Sequence, residues 1–455
     1  MKVILCATVI VVAVGCAQPA PPPPPPPNII IVVIDTLRAD RLSQFGYGRA
    51  TSPALADFAA KATMYRDCAA PAGWTNPSVA SLFTGLHTAR HRTNAFGAVL
   101  GEEHTTLAEV LRDGGWSTAA ISFNPGVRSE LNYDQGFEHF DEFLGKSSKY
   151  PHMEEMIDRA IEWIDDRPPG PFFLYLQPMN VHGPYRVPPE ARTALLGQPP
   201  SNEFKYYAEP MKGILRRGEL DLRKRVPDSY LESLNDKYDT AVRYSTDQLG
   251  AFFDLLIQRR LFDDALVIVT ADHGEELFDH GGFSHGFSLH REVVHVPLFV
   301  KLPGQREARE VVDRVSLMDV MPTVLEVAGI DPVPGIDGGS LLAMHERESE
   351  EPAVRLSQTA WAARCVARGI TSGRWRLLEI ERNYERLQNV VRLYDVELDP
   401  GETRELSAEE PEVVAQLRRR LRRHFNELEG RAGQGPENRM DELDEDRLRA
   451  LGYVE

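Results

Sequence analysis

Six consecutive apolar residues, Ile29 through Ile34, run directly into a carboxylate, Asp35. A continuous β-branched run of this kind predicts a strand buried on both faces of a parallel sheet. Short apolar runs at Ala119 to Phe123, Phe172 to Gln177 and Ala265 to Thr270 predict further buried strands. Between them, spacing of three and four predicts helices over Leu107 to Asp113, Glu154 to Asp165 and Tyr238 to Gln258. Ser52-Pro53 predicts a capped helix start, with Leu55, Phe58, Ala59 and Ala62 on one face. The alternation is that of an α/β fold with a mostly parallel sheet covered by helices. In such sheets sites gather at the carboxyl ends of strands, where both Asp35 and Asp272 fall.

The texture changes at either end of this region, which we take as a domain over residues 28–345. Beyond it, Cys365 to Thr371, Trp375 to Ile380 and Val390 to Asp395 read as strands, and Pro411 opens a basic helix through Arg423. This predicts a small α+β C-terminal subdomain over 346–429. A polar tail, 430–455, comes last, with one short helix expected from Arg447 to Leu451. At the other end, Lys2 and the apolar run Val3 to Val14 precede Gly15-Cys16. That run is too short to span a membrane, and Ala13-Val14-Gly15-Cys16 resembles a bacterial lipobox. The expectation is an exported protein in the bacterial cell envelope, with a signal peptide at 1–15 and a lipid anchor on Cys16. Residues 16–27 then form a proline-rich linker, stiffened by Pro21 to Pro27 in extended polyproline II.

The 455 residues are 42% hydrophobic and 26% charged, which excludes a largely disordered chain. With 51 basic and 68 acidic residues the net charge is −17, so no basic footprint for nucleic acid exists. Cys6, Cys16, Cys68 and Cys365 supply neither a disulfide framework nor a Cys-rich metal site. Asp35, Asp272 and His273 offer two carboxylates and an imidazole, a donor set suited to one divalent cation such as Ca, Mg or Mn. Thr75 stands two residues before Pro77, where a helix start would aim free N–H groups at an anion. The plainer role for Thr75 is a helix cap.

Taken together, the motifs resemble the sulfatase family of the alkaline phosphatase superfamily. Asn28 to Asp40 is similar to its first metal strand, and Pro77-Ser78 with Thr84-Gly85 to its nucleophile segment. Val181-His182-Gly183-Pro184-Tyr185 resembles its His-x-Pro-aromatic element, and Thr270 to Glu275 its second metal motif. His280-Gly281, Glu292, Val296-Pro297-Leu298, Ser316 to Thr323, Asp337-Gly338 and Leu393-Tyr394-Asp395 continue the match in order. The resemblance implies an alkaline-phosphatase-like three-layer sandwich and an ester hydrolase.

The departures bear on mechanism. The resemblance places the family's Cys or Ser, which is converted to formylglycine, at Thr75, and threonine cannot supply that aldehyde. Val79 stands where the family has Arg, Thr36 where it has a second Asp, and Ser122-Phe123-Asn124-Pro125 where it has Gly-Lys-Trp-His; His285 replaces a Lys. Relatives with a threonine nucleophile beside a metal are phosphodiesterases and lipid-headgroup phosphotransferases. The expectation is therefore a metal-dependent hydrolase or transferase acting on phosphate or sulfate esters. Thr75 is its nucleophile, His182 or His285 protonates the leaving group, and Asn124 and His280 contact substrate. The substrate expected is a small-molecule, glycan or lipid-headgroup ester. The rival readings are a sulfatase that works without formylglycine and a binding protein on a dead scaffold.

Overall fold

The run that opens the globular part forms β1, Ile29–Val33; all five residues are fully buried, and neighbouring strands flank both of its edges. The computed structural model of the chain describes residues 25–95, 97–143, 151–199, 226–342, 354–361, 365–383 and 386–433. The expected signal peptide, Cys16, most of the proline tract and the tail with its Arg447 to Leu451 helix lie outside them. The end of the linker is held, since Trp116 Nε1 donates to Pro27 O at 2.9 Å.

After β1 come β2 (Thr63–Ala69), β3 (Ser117–Ser122), β4 (His139–Glu142), β5 (Phe172–Gln177) and β6 (Leu266–Thr270). The two-residue strands β7 (Glu276–Leu277) and β8 (Phe283–Ser284) precede β9 (His295–Lys301) and β10 (Arg309–Ser316). Eight of these build one sheet in the order β10-β2-β9-β6-β1-β5-β3-β4. Every pairing is parallel except those of β9, which runs antiparallel to both β6 and β2. This is the mostly parallel α/β architecture that the sequence predicts.

The C-terminal part is an antiparallel sheet of β11 (Val354–Trp361), β12 (Cys365–Ser372), β13 (Trp375–Asn383) and β14 (Arg386–Asp395). The helix Pro411–Gly430 lays Leu417, Leu421 and Phe425 on Ile370, Leu377 and Leu393 of this sheet. That is the i, i+4, i+8 stripe of an amphipathic helix, with its arginines left outside.

Two helix starts differ from expectation. The last long helix before β6 begins at Asp228, ten residues ahead of Tyr238, because Leu234 in the core and Tyr230 and Leu231 packed against it extend the apolar stripe toward the N-terminus. Ser52 does not cap a helix. Its Oγ donates to Gln44 Oε1 at 2.6 Å, and the chain passes into a 3-10 turn, Pro53–Leu55, and then one helical turn, Ala56–Ala59.

Candidate active site and metal cradle

Strands β5, β1 and β6 lie side by side, with Leu176 opposite Val32 and Thr270 opposite Val33. Their carboxyl ends are therefore level, and Gln177, Asp35 and Asp272 leave the sheet along one edge. All three side chains are fully buried, as are Thr36 and His273. One ligand atom each from Asp35, Asp272 and His273 lies within 4.8 Å of the others, although the residues come from distant parts of the chain. His273 Nε2 is 3.4 Å from Asp272 Oδ2 and 4.0 Å from Asp35 Oδ1.

The donor set tests well for a cation. Gln177 Nε2 spans the two carboxylates at 3.4 Å from each, and Asn124 Nδ2 donates to Asp35 Oδ2. Asp272 Oδ1 accepts from the backbone N–H groups of His273 at 3.0 Å and Thr36 at 3.3 Å. Asp35 Oδ1 and Thr36 Oγ1, by contrast, are buried without a hydrogen-bond partner among the described residues. Burial, and then the Asp272 carboxylate, push the Asp35 carboxyl well above its usual pKa against the pull of Asn124. Two adjacent buried carboxylates with an unmatched oxygen are the electrostatic form of a cation site. Thr36 itself has φ 57°, a left-handed conformation uncommon for a β-branched residue.

Thr75 is the first residue of a wholly buried helix, Thr75–Thr84, that ends on Gly85 in the left-handed conformation. Its Oγ1 lies 3.2 Å from His273 Nε2 and accepts from Asn124 Nδ2 at 3.2 Å. The hydroxyl thus looks into the cradle, and the helix N-terminus carries no side-chain cap. The chain reaches this position through Gly73, where a Cβ would sit 2.9 Å from the carbonyl oxygen of Ser288. Gly274 is tighter still, since a Cβ there would lie 2.0 Å from the carbonyl oxygen of Glu292. The turn after His273 admits only glycine because its backbone is pressed against the segment that leads into β9. Ser78, one turn into the helix, donates to Asp272 O at 2.6 Å and ties helix to cradle.

His285 and His182 continue in a row. The His285 ring is 4.5 Å from that of His273, and the His182 ring is 5.0 Å from that of His285. Glu275 Oε1 holds His285 Nδ1 at 3.1 Å, and burial raises the Glu275 carboxyl to about 7. Burial and the neighbouring His285 push His182 down to about 3, and burial likewise lowers His285 well below its ordinary value. Both imidazoles are therefore neutral at pH 7.

His280 is placed elsewhere. Its Nδ1 pairs with Glu292 Oε1 at 2.7 Å, its Nε2 meets Glu402 O at 3.0 Å, and its ring stacks on His290 at 3.7 Å. His280, His290 and Glu402 also have ligand atoms within 4.8 Å of one another. The Glu402 carboxylate, however, is already met by His290 Nδ1 at 2.9 Å, Arg291 N at 3.2 Å and Arg376 at 2.9 Å. This is an ion-pair junction between the C-terminal subdomain and the segment before β9, and it holds His280 outside the Asp35, Asp272 and His273 group.

The sequence alone does not single out Gln177 or Glu275, and it marks Thr36 only as a departure from the family pattern. Gln177 carries the same signal as Asp35, a polar residue closing an apolar strand, but an amide draws less notice than a carboxylate. The C-terminal sheet also touches the site. In β11, Ser357 Oγ donates to Ala70 O at 2.8 Å and Gln358 N to Pro71 O at 2.9 Å, while Thr359 Oγ1 donates to Gly286 O at 2.8 Å. One edge strand thereby fixes both the segment leading to Thr75 and the one leaving His285.

A family model described as Sulfatase matches residues 27–330, and one described as N-sulphoglucosamine sulphohydrolase, C-terminal, matches 278–429. Arylsulfatase K of Mus musculus is 26% identical over 398 residues, covering 77% of this chain and 70% of its own. Among solved structures, the phosphonate monoester hydrolase of Agrobacterium radiobacter superposes with TM-score 0.69 at 20% identity, covering 88% of this chain and 96% of that one. A 2-O GAG sulfatase superposes with TM-score 0.71 at 16% identity, covering 91% and 99%. The first family model spans most of the chain, from the linker past the second metal motif, and the folds agree over nearly the whole length. The chain accordingly belongs to the sulfatase family, in the sulfatase branch of the alkaline phosphatase superfamily, and is an ester hydrolase of that branch.

Proposed function

We propose that the chain is a metal-dependent hydrolase or phosphotransferase that cleaves a phosphate, phosphonate or sulfate ester through Thr75. The observation that carries this reading is the position of Thr75 Oγ1, held between Asn124 Nδ2 and His273 Nε2 instead of capping its helix. Asp35, Asp272 and His273 would hold one divalent cation, and Thr36 Oγ1 is a further oxygen beside Asp35. When bound, such a cation acidifies a nearby hydroxyl and offsets charge on the transferring group.

The chain's own residues supply the rest. The Asn124 N–H stabilises negative charge on Thr75 Oγ1, and so does the positive end of the helix that Thr75 begins. Oγ1, its proton released to solvent, attacks phosphorus or sulfur, forming one bond there and breaking the ester bond on the far side. The departing oxygen takes a proton from His182 or His285, each neutral until an anionic ester enters and raises its proton affinity. Water or an acceptor alcohol then attacks the threonine-bound group in line and restores Thr75.

Threonine chemistry favours phosphorus. A sulfate on a geminal diol leaves by collapse to an aldehyde, and Thr75 has no such exit, whereas a phosphoryl-threonine is released by direct attack. Comparing aryl phosphate, phosphonate and sulfate esters on the purified, metal-loaded chain tests the reading. The expected order is phosphorus esters ahead of sulfate, with turnover lost in Thr75→Ala and partly kept in Thr75→Ser. Full activity in Thr75→Ala would return Thr75 to a structural role. The 2-O GAG sulfatase among the structural relatives makes a glycan ester a reasonable substrate class to include.

The N-terminal pattern supports a second element of the proposal, export and anchoring through an acylated Cys16. No described helix is long and apolar enough to cross a membrane.

A further inference from the structure

A cavity of about 500 Å³ opens where the loop after β1, strand β2, the start of β9 and the Pro400-Gly401 turn of the C-terminal subdomain meet. Asp35, Thr75, Asp272 and His273 do not line it. Its volume is that of an ordinary small-ligand pocket. Ion pairs within the wall fill one side, and Arg66 and Arg291 stand on the other.

On the matched side, Arg38 is buried between two carboxylates, donating to Asp40 Oδ2 at 2.7 Å and Asp279 Oδ2 at 2.7 Å. His280 is matched by Glu292 at 2.7 Å. Burial alone would lower the His280 pKa, and Glu292 more than offsets it, holding the imidazole up at about 9.

On the other side stand Arg66 and Arg291. Arg66 lies over the Phe45 ring at 5.7 Å, donates from Nη1 to Gln44 O at 2.9 Å, and pairs through Nη2 with Glu310, an exposed residue that is not part of the cavity wall. Arg291 is half-buried, and its guanidinium makes no ion pair among the described residues. It is the leading charge that holds down the pKa of Asp67 against burial, although the hydrogen-bonded partner of that carboxylate is Arg314 Nε at 2.9 Å. His295, in the same wall, is neutral. Arg66, over an apolar ring, and Arg291, with no carboxylate within ion-pair distance among the described residues, thus line a ligand-sized space together. A guanidinium in that setting is matched by a planar or tetrahedral oxyanion through paired N–H donors.

We propose that this cavity is a second binding site, separate from the cradle, for a small oxyanion-bearing ligand whose carboxylate, sulfate or phosphate is held by Arg291 and Arg66. The chain binds the anion here whether or not Thr75 is the nucleophile. The site also abuts the catalytic loop from behind. Arg38 in its wall donates to Glu275 O at 3.0 Å, and its Cγ lies 3.1 Å from where a Cβ on Gly274 would be.

The test is calorimetric titration of the full chain with inorganic phosphate, inorganic sulfate and glucuronate in turn. The parent chain in chelator serves as background, since the metal-free cradle carboxylates disfavour an anion there. One equivalent should bind in that background. Arg291→Gln should weaken binding at least tenfold, and Arg291→Lys should keep part of the affinity. Glucuronate binding ahead of both inorganic ions would identify a sugar acid as the ligand, and the reverse order a free inorganic anion. If Arg291→Gln does not fold, Arg66→Gln is read in its place with the same expectation. Absence of binding by all three probes at millimolar concentration, or affinity unchanged by the arginine substitutions, would overturn the proposal.

Discussion

Asp35→Asn separates the cost of the cradle from its use. In the metal-free chain the Asp35 and Asp272 ligand atoms lie within 4.8 Å of each other in a fully buried setting. Two like charges at that distance repel by about 3 kcal/mol at an effective dielectric constant of about 20. Proton uptake by Asp35, whose pKa burial and Asp272 raise, caps this repulsion. Asparagine keeps the shape and can still accept from Asn124. Asp35→Asn is therefore expected to stabilise the metal-free protein by about 1–3 kcal/mol.

The sign with pH comes from the same shift. A carboxyl whose folded pKa lies above its unfolded value binds more protons in the folded state, so its contribution to stability falls as pH rises from about 4. The advantage of Asp35→Asn in chelator should widen over that range. With Mg, Ca or Mn present that advantage should be cancelled or reversed, since ligand at about 100 times its Kd adds about 2.7 kcal/mol to a chain that binds it. Urea unfolding followed by tryptophan fluorescence, with chelator and with each metal, gives both numbers. A variant less stable than the parent in chelator, or equally stabilised by metal, would refute the cradle.

Two further outcomes are expected. His280→Gln should cost on the order of 3 kcal/mol near pH 6.5, because Glu292 holds the imidazole at about 9; that cost should fade as pH rises through 9, which denaturation at several pH values checks. The other groups around His280, namely Glu276, Glu402 and His290, are present in parent and variant alike, so an unchanged gap across this range would contradict the assignment. Cys16→Ser should leave an exported protein that no longer partitions with membranes, as followed by fractionation, and unchanged partitioning would exclude the lipid anchor.

The parallel core is legible in the sequence because a strand covered on both faces is written as an unbroken apolar run. β5 matches its run residue for residue at Phe172–Gln177, and β1 matches within one residue. Strands whose burial is broken are not legible in this way. β10 leaves most of its residues at least partly exposed, and β2 carries Arg66 and Asp67 at half-exposed positions. β9 is fully buried but ends on Lys301, a charge that reads as surface. Its ammonium is absorbed by the carbonyls of Asp263 at 2.7 Å and Ala265 at 3.3 Å, which no local pattern reveals. In the site, the carboxylates stand out because strand ends are where an α/β sheet presents ligands. The junction that holds His280 does not, because Glu402 reaches it from the other subdomain, across more than a hundred residues of chain.

The central claim is that Thr75 becomes covalently loaded. Brief exposure of the metal-loaded chain to a good ester substrate, acid quench, proteolysis and mass spectrometry of the peptide containing Thr75 test it directly. The account predicts that peptide carrying the added mass of one phosphoryl or sulfuryl group on the threonine, absent in Thr75→Ala and chased away by further incubation. Turnover of the same substrate with the Thr75 peptide unmodified at every quench time would contradict it.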